Sequence, residues 1–368
     1  MSINVTDEFL KLVSIDSPSK KEGKLADYLK RRLKELGADV YEDHSAARTG
    51  SDTGNLIAVL PGNCEGAPVI MLAAHMDTVA STEGMTPRIE EGVIYSDGQT
   101  ILGADDKAGI AVILAVLSRL QEDEHILHSP VEVVLTVQEE IGLYGIKNLD
   151  YALKADFGYV LDGDGPVGTV VHAAPSHITL DMVVQGKAAH AGLAPETGVN
   201  AIVVASKAIA DLKSGRIDQE TTSNFGIITG GTARNVVAEK VQITAEVRSH
   251  DQAKLEIETD KILEKFEIVA AKNQANFSYT KELAYEAFCI DPAHPAVQNL
   301  REAGKTLGIH TELTSTGGGL DANILNSRGI PCLALGLGNH NPHTREEYVE
   351  IDQMEKSVEF VLEALSYS

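Results

Sequence analysis

The sequence predicts a two-part α/β protein: a doubly wound α/β layer built from both ends of the chain, interrupted by an inserted ferredoxin-like α+β domain. Three observations predict it. Strand-length apolar runs alternate with helical patterns up to about residue 162, the signature of a doubly wound sheet. From 174 to 288 the texture becomes strand, helix, strand, strand, helix, strand. After Pro292 the earlier alternation returns, so the first domain is expected at 1–173 and 289–368, with the insert at 174–288. A chain of 368 residues is too long for one comfortable core, which agrees with two domains.

Composition narrows the classes of function. Hydrophobic residues make up 43% and charged residues 23%, as in ordinary globular proteins. The formal net charge of -23 repels phosphate backbones and anionic membrane surfaces, and no local basic patch offsets it, so nucleic-acid and lipid roles are excluded. Cys64, Cys289 and Cys332 are far apart and lack zinc-ribbon or disulfide spacing, so they read as reduced thiols. The N-terminal stretch has no basic region leading to an apolar block, and no apolar run approaches membrane-spanning length. A cytoplasmic protein is expected.

Taken in order, helical periodicity covers 6–15 and 20–36, the second ending at Gly37. Strands follow at 38–42 and 55–60. Val69-Ile70-Met71-Leu72-Ala73-Ala74 is apolar throughout, a strand buried on both faces, and it delivers His75 and Asp77 at its exit. Alternation along an extended chain points 75 and 77 the same way, with Met76 opposite. That suits a metal-binding imidazole with a carboxylate behind it to fix the tautomer.

Asp105 and Asp106 precede an apolar helix at 107–120, and their plainest reading is helix capping. The strand at 131–138 hands Glu139 and Glu140 to a turn at Gly142. A helix at 144–153 and a strand at 157–162 follow, the latter ending at Asp162. Asp164 suits the turn beyond it. Ligands of doubly wound sheets collect at the carboxyl ends of strands, where His75, Glu139, Glu140 and Asp162 all fall.

The insert reads as strands at 176–184, 224–229, 241–248 and 277–285, with helices at 200–212 and 252–276. The closing segment reads as a helix at 295–307, the turn Gly317-Gly318-Gly319, a helix at 320–327, a strand at 332–336 and a helix at 352–365. Between the last two lies Asn339-His340-Asn341-Pro342-His343-Thr344, a polar loop with two histidines. Hydrolysis at a two-metal site needs one carboxylate on metal and another free to take a proton. Adjacent side chains diverge, so the tandem Glu139-Glu140 meets both needs.

His75-Met76-Asp77, Gly103-Ala104-Asp105-Asp106-Lys107, Glu139-Glu140-Ile141-Gly142, Asp162-Gly163 and Asn341-Pro342-His343, in this order and rough spacing, resemble the co-catalytic zinc exopeptidase family of peptidase T, carboxypeptidase G and succinyl-diaminopimelate desuccinylase. The matching motifs run from about 69 to 349, and the strongest likeness is to peptidase T-like tripeptidases. The resemblance implies a discontinuous catalytic domain with a mixed sheet and an inserted lid or dimerisation domain. It also implies two Zn2+ ions per subunit, with manganese or cobalt as substitutes. Asp105 would bridge them, His75 and Asp162 completing one site and Glu140 and His343 the other. His343 matches the family's Asn-x-His-Thr position, which His340 does not.

Glu139 would be the general base, with Asp77 behind His75. In Gln185-Gly186-Lys187-Ala188-Ala189-His190-Ala191-Gly192, His190 resembles the family histidine that reaches a neighbouring subunit's site to stabilise an oxyanion, which implies a homodimer through the insert. Asn235 and Arg248 match positions that hold substrate, Arg248 by a bidentate grip on a carboxylate. Gly318 and its neighbours read equally as a source of backbone N–H groups for a substrate carboxylate and as a flexible turn. His172, His177 and His294 carry no motif.

The function implied is removal of the N-terminal residue from short peptides, most of all tripeptides. Dipeptidases and N-acyl amino acid deacylases of the same family share every metal ligand. The self-compartmentalising glutamyl aminopeptidases have a similar Gln-Glu-Glu-Ile-Gly turn, but their insert lies between the first histidine motif and the bridging aspartate. Here only a short loop separates Asp77 from Asp105. A non-catalytic scaffold of this fold would lack the base or a ligand, and all are present.

Overall fold

A computed structural model describes residues 3–367. The chain divides into two compact units. One comprises 3–173, 289–315 and 320–367; the other comprises Ala174–Phe288 with Thr316–Gly319.

The first unit is organised by a nine-stranded mixed sheet. At its centre four strands run parallel in the order Val131–Thr136, Ile70–His75, Phe157–Gly163, Cys332–Gly336. Leu56–Leu60 and Asp39–Glu42 extend one side antiparallel, and Thr169–Ala174 lies antiparallel beyond Cys332–Gly336. Three of the four central strands are buried at every residue, which is why their sequences are apolar without alternation. Because they are parallel, their carboxyl ends share one edge of the sheet.

The helix Ala104–Glu122 lies buried along nearly its whole length, so its sequence is apolar on all sides. Asp105 and Asp106 have non-helical backbone angles and are joined by a cis peptide, so regular helix starts at Lys107. Gly109 permits its approach to the sheet: a Cβ there would lie 2.3 Å from the Leu161 carbonyl oxygen. Helices Val5–Val13, Pro295–Leu307 and Ile351–Leu365 complete the same apolar core.

Two expected elements differ. The helix expected at 20–36 starts at Gly23, because Lys20 has φ +75° and its N–H is taken by Glu22. The helix expected at 144–153 covers only Tyr144–Lys147. Beyond it the backbone N–H groups of Asp150, Lys154 and Ala155 go to the carboxylates of Asp43 and Glu132 instead of to helical carbonyls. A four-stranded sheet of Arg88–Glu90, Val93–Tyr95, Asn339–His340 and Tyr348–Glu350 was not foreseen, its strands being too short to show a period.

The second unit carries a five-stranded antiparallel sheet in which Ser176–Gln185 lies between Lys240–Ser249 and Asn276–Tyr285. Helices Ala201–Ala210 and Gln252–Lys272 cover one face and form a separate core with Ile178, Leu180, Val247 and Phe266. The strand Thr221–Gly230 pairs along one side with Lys240–Ser249, and on its other side Gly215–Arg216 meets only Ser223 and Thr222.

Candidate metal centre

Five segments converge at the carboxyl edge of the parallel strands. His75 ends its own strand, Glu139 and Glu140 follow Val131–Thr136, and Asp162 lies in Phe157–Gly163. Asp105 enters from the non-helical start of the buried helix. His343 comes from the loop between Asn339–His340 and Tyr348–Glu350.

These side chains form two clusters that share one member. In the first, His75 Nε2 is 2.9 Å from Asp105 Oδ1 and 3.9 Å from Asp162 Oδ1. In the second, His343 Nε2 is 3.2 Å from Asp105 Oδ2 and 2.9 Å from Glu140 Oε2. The two oxygens of Asp105 thus face different clusters. Within each cluster the ligand atoms lie within 4.8 Å of one another, a spacing that can hold an ion. Helix capping falls instead to Asp106, whose carboxylate accepts from the N–H groups of Gly109 and His75.

The donor set of two imidazoles and three carboxylates suits divalent transition-metal ions. Glu140 Oε1 is buried without a hydrogen-bond partner, a polar atom left for an ion to satisfy. His75 Nδ1 lies 2.9 Å from the backbone oxygen of Asp77 and 3.6 Å from its carboxylate. Nδ1–H therefore donates to that carbonyl, and the Nε2 lone pair is turned toward Asp105 and Asp162. The carboxylate of Asp77 has other work. It accepts from Glu139 N (2.9 Å), Glu140 N (3.3 Å) and Ser19 Oγ (2.6 Å).

The electrostatics are those of crowded acids around two imidazoles. Burial pushes the Glu139 carboxyl well above the usual range, aided by the charges of Asp321, Glu140 and Asp77 and opposed by His75. Burial and the charges of Asp105 and Asp106 do the same to Asp162. Burial also works to raise Asp105, but hydrogen bonds to His343 and His75 outweigh it and hold that carboxyl well below its ordinary value. Hydrogen bonds to Asp105 and Glu140 lift His343 to about 10. Burial opposes charge on His75, yet Asp105, Asp77 and Asp162 raise its pKa well above normal. An ion held in each cluster would reverse this logic, favouring ionised carboxyls and deprotonated ring nitrogens.

The remaining sequence-derived positions lie in the second unit. His190 is exposed, and its Nδ1 accepts from the N–H groups of Gly192 and Leu193, both at 3.2 Å, so the ring proton resides on Nε2. The turn is held by Ala191 N donating to the Asn235 carbonyl and Val237 N donating to that of Ala189. The Asn235 side chain is exposed. Arg248 Nη2 donates to Glu246 (3.0 Å) and Nη1 to the Gly317 carbonyl (3.3 Å), while its Nε is buried without a partner. Gly318 N donates to Thr316 Oγ1, so that N–H is already engaged within its own turn. His340 is not brought to the clusters and pairs with Glu350 at 3.0 Å.

Sequence reasoning missed the residues that hold this frame. Glu347, buried, accepts from the N–H groups of Leu102 (2.7 Å), Gly103 (2.8 Å) and Asp105 (3.1 Å). Thr136 Oγ1 donates to buried Asp321 at 2.5 Å, and burial lifts the Asp321 carboxyl to about 6. Acids inside otherwise apolar packing were the one available signal.

Fold and clusters together define a metal-binding exopeptidase architecture, and comparison places it: residues 71–367 match the model of peptidase family M20/M25/M40, and the chain belongs to that family. It is 41% identical to the uncharacterised protein YqjE of Bacillus subtilis strain 168, the alignment covering 97% of this chain and 96% of that one. The structure is similar to that of aminopeptidase PepT from Bacillus cereus, with a TM-score of 0.90 and 40% identity over 98% of this chain and 97% of the other. A tripeptidase from Staphylococcus aureus matches with a TM-score of 0.94 and 38% identity over 98% and 97% of the two chains.

Proposed function

We propose that the chain is a dinuclear zinc aminopeptidase that releases the N-terminal residue of short peptides, tripeptides above all. The observation that carries this reading is the division of the two Asp105 oxygens between a His75–Asp162 cluster and a His343–Glu140 cluster. High similarity to proteins described as a tripeptidase and an aminopeptidase supports the choice of substrate class.

Ions bound by His75, Asp105 and Asp162 and by His343, Asp105 and Glu140 would supply Lewis-acid polarisation and acidify water. Glu139, the member of the tandem pair that belongs to neither cluster, takes a proton from the attacking water and returns it to the leaving amine nitrogen. His190 presents Nε2–H, the donor an oxyanion needs. Asn235 and Arg248 hold the peptide, Arg248 through the substrate carboxylate.

The inserted unit serves as lid and homodimer interface. Ile202, Val203, Ile227 and Ile228 are exposed on it, and the strand Thr221–Gly230 leaves backbone from 224 onward unpaired on its outer side. Free Cys64, Cys289 and Cys332 suit the reducing cytoplasm. No helix among the described residues is long and apolar enough to cross a membrane.

Purified protein loaded with zinc is assayed on matched dipeptides, tripeptides and N-acyl amino acids. Preferential cleavage of tripeptides with a free N-terminus is expected. Cleavage confined to dipeptides or to acylated amino acids replaces the tripeptidase reading with a dipeptidase or a deacylase.

A further inference from the structure

We propose that Glu22, more than a hundred residues from the tandem glutamates in sequence, is a positioning residue that fixes the backbone of the Glu139-Glu140 turn. The inference rests on Glu139 being the base. Glu22 is completely buried, and Oε1 accepts from Gln138 N (3.1 Å) and Lys20 N (3.0 Å) while Oε2 accepts from Ser51 Oγ (2.5 Å). Asp77 takes the next two N–H groups, those of Glu139 and Glu140. Three successive amides of the turn are thus each held by a carboxylate.

The turn needs such holding. Gln138 has φ +52°, a left-handed conformation that a glutamine keeps only where its surroundings impose it. Its side chain is also tied down, Nε2 donating to the Thr49 carbonyl. With the amides of 138, 139 and 140 each held, the peptide planes that set the Cα–Cβ directions of 139 and 140 are held as well.

A simpler role for Glu22 would be to cap the helix that starts at Gly23. It occupies the N-cap position but its side chain makes no capping hydrogen bond. Gly23 N is served instead by Asp52 Oδ1 at 2.7 Å. Asp52 relieves Glu22 of capping, and among the described residues no Lys or Arg side chain pairs with the buried Glu22 carboxylate. Burying an acid in this way costs stability. Such a cost is retained where the acid serves the site.

The same segment backs the other side of the metal edge. Ser17 Oγ donates to the Met76 carbonyl, Thr78 N donates to the Ser17 carbonyl, and Ser19 Oγ donates to Asp77. The 17–22 stretch therefore braces both the His75-Met76-Asp77 exit and the Gln138-Glu139-Glu140 turn. Glu22 is the member that grips the turn directly.

The test uses zinc-loaded enzyme and a tripeptide. Glu22→Met keeps the volume and removes both acceptors, and it is expected to lower kcat on the order of a hundredfold with KM little changed. Glu22→Gln keeps an oxygen for Gln138 and Lys20 and an amide that can donate to Ser51, and kcat is expected to stay within roughly fivefold of the parent. A purely packing role predicts the reverse, with Met tolerated. Equal kcat in Glu22→Met and the parent, or equal losses in Met and Gln, overturns the proposal.

Hydrogen exchange on the unmutated holoenzyme decides the matter should Glu22→Met not fold. Amide protection at Gln138 comparable to that in Val131–Thr136 supports the clamp, and exchange as fast as in an open turn overturns it. A Glu139→Gln control separates the two readings. Turnover surviving in Glu139→Gln removes the base assignment, whereas its loss beside a fully active Glu22→Met removes the Glu22 inference alone.

Discussion

The side chain of Glu347 accepts a hydrogen bond from the backbone N–H of Asp105 at 3.1 Å, joining segments 242 residues apart in the chain. Its other oxygen accepts from Leu102 and Gly103. Glu347 lies four residues after His343, so one carboxylate locks Asp105, the member common to both clusters, to the segment carrying His343 of the second cluster. Glu347→Ala leaves three amides without an acceptor, at a cost of about 2–4 kcal/mol. Glu347→Gln should fall between, because its NH2 must face either Asp105 N–H or the Leu102–Gly103 pair. Denaturant titration of zinc-free protein measures the loss, and elemental analysis after dialysis should show less metal in Glu347→Ala. An alanine variant equal to the parent in both measurements would show the clamp to be incidental.

Glu139→Gln should retain both metal ions and lose turnover by a factor of about 100 to 10,000, the usual contribution of a general base. Glu140→Gln should behave differently, because Glu140 lies 2.9 Å from His343 Nε2 in the second cluster. Metal content is expected to fall there along with activity. Elemental analysis beside kcat separates the pair, and full turnover in Glu139→Gln would fail the assignment outright.

His190→Ala should lower kcat by about 100- to 1,000-fold with a small change in KM, as removal of an oxyanion donor does. Its Nδ1 is already occupied by Gly192 and Leu193, leaving Nε2–H as the donor. Should the insert pair two subunits and carry His190 to the neighbour, mixing inactive Glu139→Gln and His190→Ala proteins restores activity. Random pairing gives one complete site in each mixed dimer, or about a quarter of parental activity. No recovery after subunit exchange would place His190 in its own subunit's site or outside catalysis.

Part of the metal edge was legible because three of its segments follow an apolar run, before His75, before Glu139-Glu140 and before Asp162, whereas Asp105 and His343 carry no such local sign. Side-chain alternation could not supply the partner atom, since the 2.9 Å contact of His75 Nδ1 is with the Asp77 carbonyl and the carboxylate lies at 3.6 Å. The capping reading of Asp105-Asp106 resolves into a division of labour, Asp106 on Gly109 N and Asp105 toward the histidines. Glu22 and Glu347 stayed hidden because they act on amides 116 and 242 residues away, and no periodicity encodes such a bond. The helix expected at 144–153 fails for a related reason, its later amides being claimed by Asp43 and Glu132.

Zinc-free protein should lose stability as pH rises, and zinc should abolish most of that loss. His343 is raised from 6.5 to about 10 by Asp105 and Glu140, so its contribution is complete below about 6.5 and disappears as pH climbs through about 10. His75, also raised, acts in the same direction. Glu139 and Asp162 have raised pKa values, and ionising them at higher pH adds crowded negative charge to the folded state. Asp105 is depressed below 3.8, so its contribution is present above that pH and vanishes only in stronger acid. Between roughly pH 4 and 6.5 the histidine and Asp105 contributions coexist, and the chelated protein should be most stable there. Zinc binds deprotonated rings and ionised carboxylates, so its stabilising effect grows with pH instead. Melting curves from pH 5.5 to 9.5 in chelator and in zinc should therefore diverge toward the alkaline end, with His343→Asn flattening the chelated curve. A chelated melting temperature that holds steady or climbs toward pH 9.5 would mean these acids and imidazoles do not face one another as described.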